Sequence, residues 1–219
     1  MSDSQRDYYD EYWARLGGRP AGYTENFKRW MSKELAGFSK AEEILEVGCG
    51  DALFTTELRR FTDHLTAIDI SAEQVSINLL KHPDIHFAVH DLVQPMPFEA
   101  DRFSAIWCSE VLEHLFDPLF ALREMCRVLK PGGLLLVTVP YHGFFKNLCI
   151  ALFKWDRHFD PEYPHIRFFT KNTLGGLATK AGFSQVRMTT CGMDELLRDI
   201  FVPSNLLLTA TKSKIPALL

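Results

Sequence analysis

Between residues 42 and 91, short apolar runs alternate with segments whose hydrophobic residues recur at helical spacing. Ile44-Leu45-Glu46-Val47 is continuous enough in apolar character for a strand covered on both faces, and it runs into Gly48-Cys49-Gly50, a turn that lets backbone N–H groups approach a ligand. After the turn, Phe54, Leu58 and Phe61 mark one face of a helix that ends before His64. Leu65 to Ile70 reads as the next strand. Pro95-Met96-Pro97 breaks the chain before Phe103 to Cys108, the fourth strand. A helix over 123–129, a Pro131-Gly132-Gly133 turn and a strand over 134–140 follow. A helix over 173–181 closed by Gly182, then strands over 185–190 and 206–211, complete the pattern. Parallel strands linked by helices predict an α/β fold with a doubly wound sheet, and ligands at the C-terminal edge of its strands.

Two stretches depart from the alternation. Residues 7–36 carry Tyr8, Tyr9, Tyr12, Trp13, Tyr23, Phe27 and Trp30 among charges, and Gly17-Gly18-Arg19-Pro20 divides them into two predicted amphipathic helices. Residues 144–155, from Phe144 through Trp155, are too apolar for a plain loop. They predict either a helix buried over a pocket or, with Lys146, Lys154 and an aromatic end, a shallow peripheral contact with a membrane.

Composition narrows the class. A chain of 219 residues with 47% hydrophobic and 24% charged content fits one soluble globular domain over 1–219. The net charge of −4 gives no general attraction to nucleic acid, which disfavours bulk RNA or DNA binding. Five scattered cysteines, Cys49, Cys108, Cys126, Cys149 and Cys191, read as buried thiols in a reducing compartment. The N-terminal residues lack an apolar signal core, and a cytoplasmic protein is expected.

The glycine turn gains meaning from the acids around it. Asp69 lies about 20 residues beyond the turn, where an α/β unit places a ribose-binding carboxylate. The dinucleotide fingerprint would need a glycine where Leu53 stands, which argues against a pyrophosphate. The motif is Glu46-x-Gly48-x-Gly50 instead, and an acid before the first glycine suits an amine-bearing ligand.

With these residues the chain, over about residues 40 to 185, resembles the class I S-adenosylmethionine-dependent methyltransferases. The resemblance implies a seven-stranded Rossmann-like sheet with an antiparallel edge, and S-adenosylmethionine as cofactor. It implies that Gly48, Cys49 and Gly50 pack under the amino-acid part of the cofactor, with Asp69 on the ribose and Ile70 beside the adenine. Asp91 and Leu92, in His90-Asp91-Leu92, would address the adenine, and the backbone of Cys108 would face the methionine part. Leu129-Lys130-Pro131-Gly132-Gly133-Leu134 matches the loop before strand five. Ala52 departs from the family, where glycine is frequent. Residues 1–36 would form a helical cap over the cofactor, to which Lys28 or Arg29 could contribute, and residues 142–165 a substrate-lid insert.

Ser109-Glu110-Val111-Leu112-Glu113-His114-Leu115 follows the fourth strand directly. Read as a helix, it sets Glu110, Glu113 and His114 at i, i+3 and i+4 on one face, beside the transferring methyl. Two carboxylates and an imidazole are ligand types for a divalent ion such as Mg. The arrangement resembles the ubiquinone-pathway O-methyltransferases and the enzymes that methylate small-RNA 3′ ends, which implies His165, in His165-Ile166-Arg167-Phe168, as a fourth ligand. The plainer expectation is that the acids serve a helix N-terminus, with Glu110 and His114 as catalytic groups and His114 the general base. His142 and His158 are substrate-side candidates; His64, His82 and His86 are expected away from the site. O-methylation of a small apolar or aromatic hydroxyl compound is the leading expectation. Terminal 2′-O-methylation of RNA and a non-catalytic cofactor-binding partner subunit are the alternatives.

Overall fold

The computed structural model describes residues 7, 8, 10, 11, 24–160, 164–192 and 202–214. Its strands are β1 (Glu43–Val47), β2 (His64–Asp69), β3 (His86–Val89), β4 (Phe103–Ser109), β5 (Leu129–Pro140), β6 (Phe183–Cys191) and β7 (Asn205–Lys212). They form one seven-stranded sheet in the order β3-β2-β1-β4-β5-β7-β6. β1 to β5 pair in parallel, and β7 lies antiparallel to both β5 and β6. Strand order reverses between β1 and β4, so the crevice beyond their C-terminal ends is where an open α/β sheet takes its ligand.

Side chains two apart share a face, and both faces are covered. Leu45, Val47, Ile106, Cys108, Leu135 and Val137 belong to one buried cluster, and Ile44, Ala105, Trp107 and Leu136 to the other. The first is closed by α4 (Pro118–Val128) and α7 (Lys171–Lys180). The second is closed in part by α1 (Thr24–Glu34), which buries Phe27 and Trp30 and sets the Trp30 ring 5.6 Å from that of Trp107. These two aromatics therefore pack on the sheet. Tyr9, Tyr12, Trp13, Tyr23 and the turn at 17–20 lie outside the described residues. Residues 7, 8, 10 and 11 are helical, and Asp10 accepts a hydrogen bond from the Ser71 hydroxyl just beyond β2.

Local chemistry sets the helix starts. Ser71 accepts from the Gln74 N–H at 3.1 Å and opens α3 (Ala72–Lys81). Asp117 accepts from the Phe120 N–H at 2.9 Å, with Pro118 in the first turn, so α4 begins earlier than the predicted 123. Thr170 and Thr173 cap α7 reciprocally, and Gly182 follows it at φ +104°. α2 (Leu53–Leu58) stops short of Phe61. Ala52, ahead of α2, is buried at φ +65°, so the alanine at this glycine-favoured position carries left-handed strain.

Three expectations are corrected. β5 begins at Leu129, not 134: Pro131-Gly132-Gly133 lies within it, beside a register shift against β4 between Phe103 and Ala105. No helix follows β4 directly. Glu110 has φ +54° and donates its N–H to the Thr138 carbonyl at 3.0 Å, which prolongs the sheet contact, and only a 3-10 turn, Leu112–His114, follows. Finally, α5 (Phe144–Phe153) and α6 (Trp155–His158) are not buried: Ile150 alone is buried on α5, while Phe144 is 75% and Phe153 79% exposed. This excursion leaves from β5 and returns where Tyr141 bridges Phe169.

Candidate active site

The tip of β1 is built by its glycines. The N–H groups of Gly48 and Cys49 both donate to the Ile68 carbonyl, at 2.8 and 3.1 Å. Gly48 has φ +74°, and a Cβ there would lie 2.3 Å from Val111 Cγ2, so both conformation and space demand glycine. Asp69 closes the turn from β2: its Oδ2 accepts from the Gly50 N–H at 2.8 Å and its Oδ1 from the Ser71 N–H at 3.0 Å. Asn78, on α3, donates to the Gly50 carbonyl at 2.7 Å. The His90 N–H donates to the Asp69 carbonyl at 2.8 Å, drawing the segment with Asp91 and Leu92 alongside. Asp91 and Ile70 are half-buried there, and Leu92 packs against the core. Cys108 is buried near the end of β4.

Glu46 makes its described hydrogen bond within the protein. It is buried, and its Oε2 accepts from Thr55 Oγ1, in the first turn of α2, at 2.5 Å. Burial pushes its carboxyl up to about 8. Glu46 thus ties the start of α2 to β1. Lys28 pairs with Glu25 at 3.0 Å.

Beyond β4, the acids separate. Glu110 Oε1 accepts from Thr138 Oγ1 at 2.9 Å and Oε2 from Asn205 Nδ2 at 3.1 Å, tying this residue to β5 and β7. Burial, partly offset by those hydrogen bonds, pushes its carboxyl up to about 7. Glu113 is fully buried, neither carboxylate oxygen has a hydrogen-bond partner among the described residues, and burial with Glu110 nearby holds its pKa far above the usual range. His114 Nε2 lies 3.8 Å and His165 Nε2 3.9 Å from Glu113 Oε1. One ligand atom from each of Glu113, His114 and His165 lies within 4.8 Å of the others. Glu110 does not belong to this group: its left-handed backbone breaks the helical face that would have brought it there.

The ring of His114 is oriented. Its Nδ1 lies 3.1 Å from the Pro164 carbonyl oxygen, which can only accept, so Nδ1 carries the proton and the neutral ring keeps its lone pair on Nε2. Burial lowers its pKa, and burial with the neighbouring His114 takes His165 down to about 3. The Ile166 and Arg167 N–H groups both donate to the Glu113 carbonyl at 3.0 Å, which pins the His165 segment against the 3-10 turn. Nearby, Ile150, Trp155, Phe159 and Phe168, with His142 and Asn147, help line a cavity of about 340 Å³. His142 and His158 pack at 5.1 Å between ring centres with their planes tilted by 55°, and burial takes His142 down to about 4. His64 and His86 begin β2 and β3, at the opposite edge of the sheet from the glycine turn, and His82 ends α3. Thr138, Asn205 and Val111 are the residues that sequence reasoning missed. Thr138 alone carried a signal, as a hydroxyl inside the apolar run from Leu134 to Pro140.

The family described as Methyltransferase domain matches residues 13–187 of the chain. The chain belongs to the class I S-adenosylmethionine-dependent methyltransferases. Among curated relatives, the methyltransferase is 32% identical over 99 residues to a "Ubiquinone biosynthesis O-methyltransferase" of Xanthomonas oryzae pv. oryzae, a match that takes in 43% of the chain and 41% of that relative. The chain therefore spans well under half the length of the curated relatives it matches. Among solved structures, the methyltransferase is similar in fold to chains from two. One is a complex between the Haloferax volcanii Trm112 methyltransferase activator and a methyltransferase (TM-score 0.73, 19% identity, 94% of this chain and 97% of that one). The other is Haemonchus contortus phosphoethanolamine N-methyltransferase 2 with S-adenosyl-L-methionine (TM-score 0.70, 15% identity, 86% and 52%).

The strand tips fit the cofactor of that family. The Asp69 carboxylate accepts the Gly50 and Ser71 N–H groups, with the Ile70 N–H also close, and of its roughly four lone-pair sites at least one is left for a ribose hydroxyl. Burial has raised its pKa, and further donors would stabilise the ionised form.

Proposed function

We propose that this methyltransferase methylates a hydroxyl oxygen of a small apolar or aromatic compound, with His114 as general base. The observation that carries the reading is the ring of His114, whose protonated Nδ1 is engaged by Pro164 and whose Nε2 carries the lone pair. Because burial lowers its pKa, the ring stays neutral and ready to accept a proton at neutral pH. S-adenosylmethionine would supply an electrophilic methyl on a sulfonium. Gly48, Cys49 and Gly50 would hold its amino-acid end, Asp69 the ribose, Ile70, Asp91 and Leu92 the adenine, and Cys108 the methionine part. Positioning and exclusion of water then supply most of the rate. The apolar lining of the cavity behind α5 supports an apolar acceptor. The N-terminal residues around Asp10, close to Asp69, would act as the cap, and residues 142–165 as the substrate-side insert. Five cysteines, none of them in a disulfide, suit a reducing, cytoplasmic setting.

A second reading of the same residues is favoured by Glu113. A buried carboxylate without a hydrogen-bond partner, beside two imidazoles, fits a divalent ion held by Glu113, His114 and His165. Two nitrogen donors suit zinc, manganese or iron better than the Mg named from sequence. Such an ion would lower the pKa of a hydroxyl bound to it. His114 Nε2 cannot serve as ligand and base at once, so metal analysis of the purified protein separates the readings. On the base reading, no stoichiometric metal is found, chelators leave turnover unchanged, and His114→Ala lowers kcat about 100- to 10,000-fold while uptake of S-adenosylhomocysteine is unaltered. Full turnover by His114→Ala would defeat both readings.

A further inference from the structure

The cavity beside α5 is walled by aromatic rings, Trp155, Phe159 and Phe168 among them, and His142 is set into that wall. His142 is buried, and its ring meets that of Phe168 at 4.8 Å with the planes at 69°. Its backbone is fastened on both sides: the N–H donates to the Phe169 carbonyl at 2.9 Å, and the carbonyl accepts from Asn147 Nδ2 at 3.3 Å. The second of these bonds decides the chemistry of the ring. With Nδ2 of Asn147 committed to a carbonyl, its Oδ1 is the atom 3.1 Å from His142 Nδ1. An amide oxygen only accepts, so Nδ1 carries the proton and the neutral ring keeps its lone pair on Nε2. Burial, with the charge of Lys146 nearby, keeps the ring neutral. Among the described residues His142 Nε2 has no hydrogen-bond partner. An acceptor fixed in an apolar wall costs free energy until a donor meets it.

We propose that His142 selects the methyl acceptor, its Nε2 accepting a hydrogen bond from a second O–H that the aromatic compound carries away from the oxygen to be methylated; this rests on the acceptor reading above. The donor is neutral, because an ammonium would meet the Lys146 charge that already acts on His142. Reaction and selection are held on one short segment. His165, whose ring packs 4.8 Å from that of His114, stands four residues before Phe169, to which His142 is bonded. Four residues of chain span at most about 14 Å, a length that one fused-ring aromatic compound can bridge. A site with a committed acceptor rejects an analogue that lacks the matching donor far more sharply than an apolar wall alone rejects it. Asn147 is then a positioning residue, which acts by fixing the His142 proton on Nδ1.

The test is calorimetry of the full chain, loaded with S-adenosylhomocysteine, against 2,6-dihydroxynaphthalene and its monomethyl ether, 6-methoxy-2-naphthol. The ether can satisfy one histidine and the diol both, so the wild-type protein should prefer the diol about 5- to 150-fold, the range for a buried acceptor otherwise left unpaired. His142→Phe keeps a ring against Phe168 but removes Nε2, and the preference should fall to the small statistical factor that the symmetry of the diol supplies. Asn147→Leu, at an exposed position of α5, lets the proton move to Nε2 and should lower the preference while affinity for the ether stays the same. Wild-type protein that binds the two probes alike, or takes up neither, overturns the proposal, as does a preference that survives His142→Phe. Should that variant fail to fold, an unchanged preference in Asn147→Leu overturns it instead. Turnover is scored separately. If His114→Ala keeps full turnover while the preference still depends on His142, the functional reading falls and the selection stands; if His114→Ala loses turnover and no preference is seen, only the selection falls.

Discussion

Replacing Gly48 by alanine tests how the β1 tip and the loop after β4 depend on each other. The added Cβ would lie 2.3 Å from Val111 Cγ2, more than 1 Å inside the ordinary carbon–carbon contact of about 3.5–4.0 Å. Alanine at φ +74° costs about 1–2 kcal/mol, and relieving the overlap by moving Val111 costs about 1–3 kcal/mol more. The expected loss is thus about 2–5 kcal/mol, read by urea denaturation with linear extrapolation. Val111 immediately precedes the 3-10 turn that carries Glu113 and His114, so the displacement also reaches the candidate base. Val111→Ala in the Gly48→Ala background removes the clashing methyl groups but leaves the backbone strain, and it should recover about 1–3 kcal/mol of the loss relative to additivity. A double variant with no recovery, or a Gly48→Ala protein within about 0.5 kcal/mol of wild type, would refute the reasoning.

Two further outcomes are expected. Asp69→Asn sets an amide NH2 against the Gly50 or Ser71 N–H donor and removes the charge, so affinity for S-adenosylhomocysteine should fall about 10- to 150-fold by calorimetry, matching about 1.5–3 kcal/mol for hydrogen bonds to a charged group. Unchanged affinity would remove Asp69 from the cofactor site. The second concerns Glu46, whose carboxyl sits near 8 in the folded chain against an ordinary 4.5. Below about pH 4.5 it is neutral in both states. Between there and about 8 unfolding releases a proton, so stability falls as pH rises, and above 8 the loss is constant. Relative to wild type, Glu46→Gln should therefore gain stability from about pH 4.5 to 8 and then level off, by at most about 5 kcal/mol in denaturation at a series of pH values. A difference independent of pH would show that Glu46 is ionised in the fold.

The strands and the glycine turn were legible because their signals are local: Ile44 to Val47 is apolar but for Glu46, Phe103 to Cys108 is apolar but for Ser104, and Gly48 stands where only glycine fits. Asp69 was legible through its spacing from the turn. The stretch from Ser109 to Leu115 was not. Its helical appearance lost to contacts made 28 and 95 residues away, from Thr138 and Asn205 to Glu110, and local periodicity carries no trace of such partners. The hydrogen bond of Glu46 was hidden for a related reason: the motif places the acid next to the turn, but its partner, Thr55, lies on the following helix. In 144–155 the apolar character was plain, whereas its exposure depended on how few of the described residues pack against α5.

The excursion between β5 and α7 starts and finishes at one point, because Tyr141 bridges Phe169 and the His142 N–H donates to the Phe169 carbonyl at 2.9 Å. A detour whose two ends are already fastened to each other burdens the sheet little when it lengthens, since doubling a flexible loop costs only about 0.6 kcal/mol in closure entropy. If this cassette houses acceptor preference, as proposed above, that preference can diversify, or be transplanted by exchanging the cassette, while the sheet and its glycine turn stay as they are.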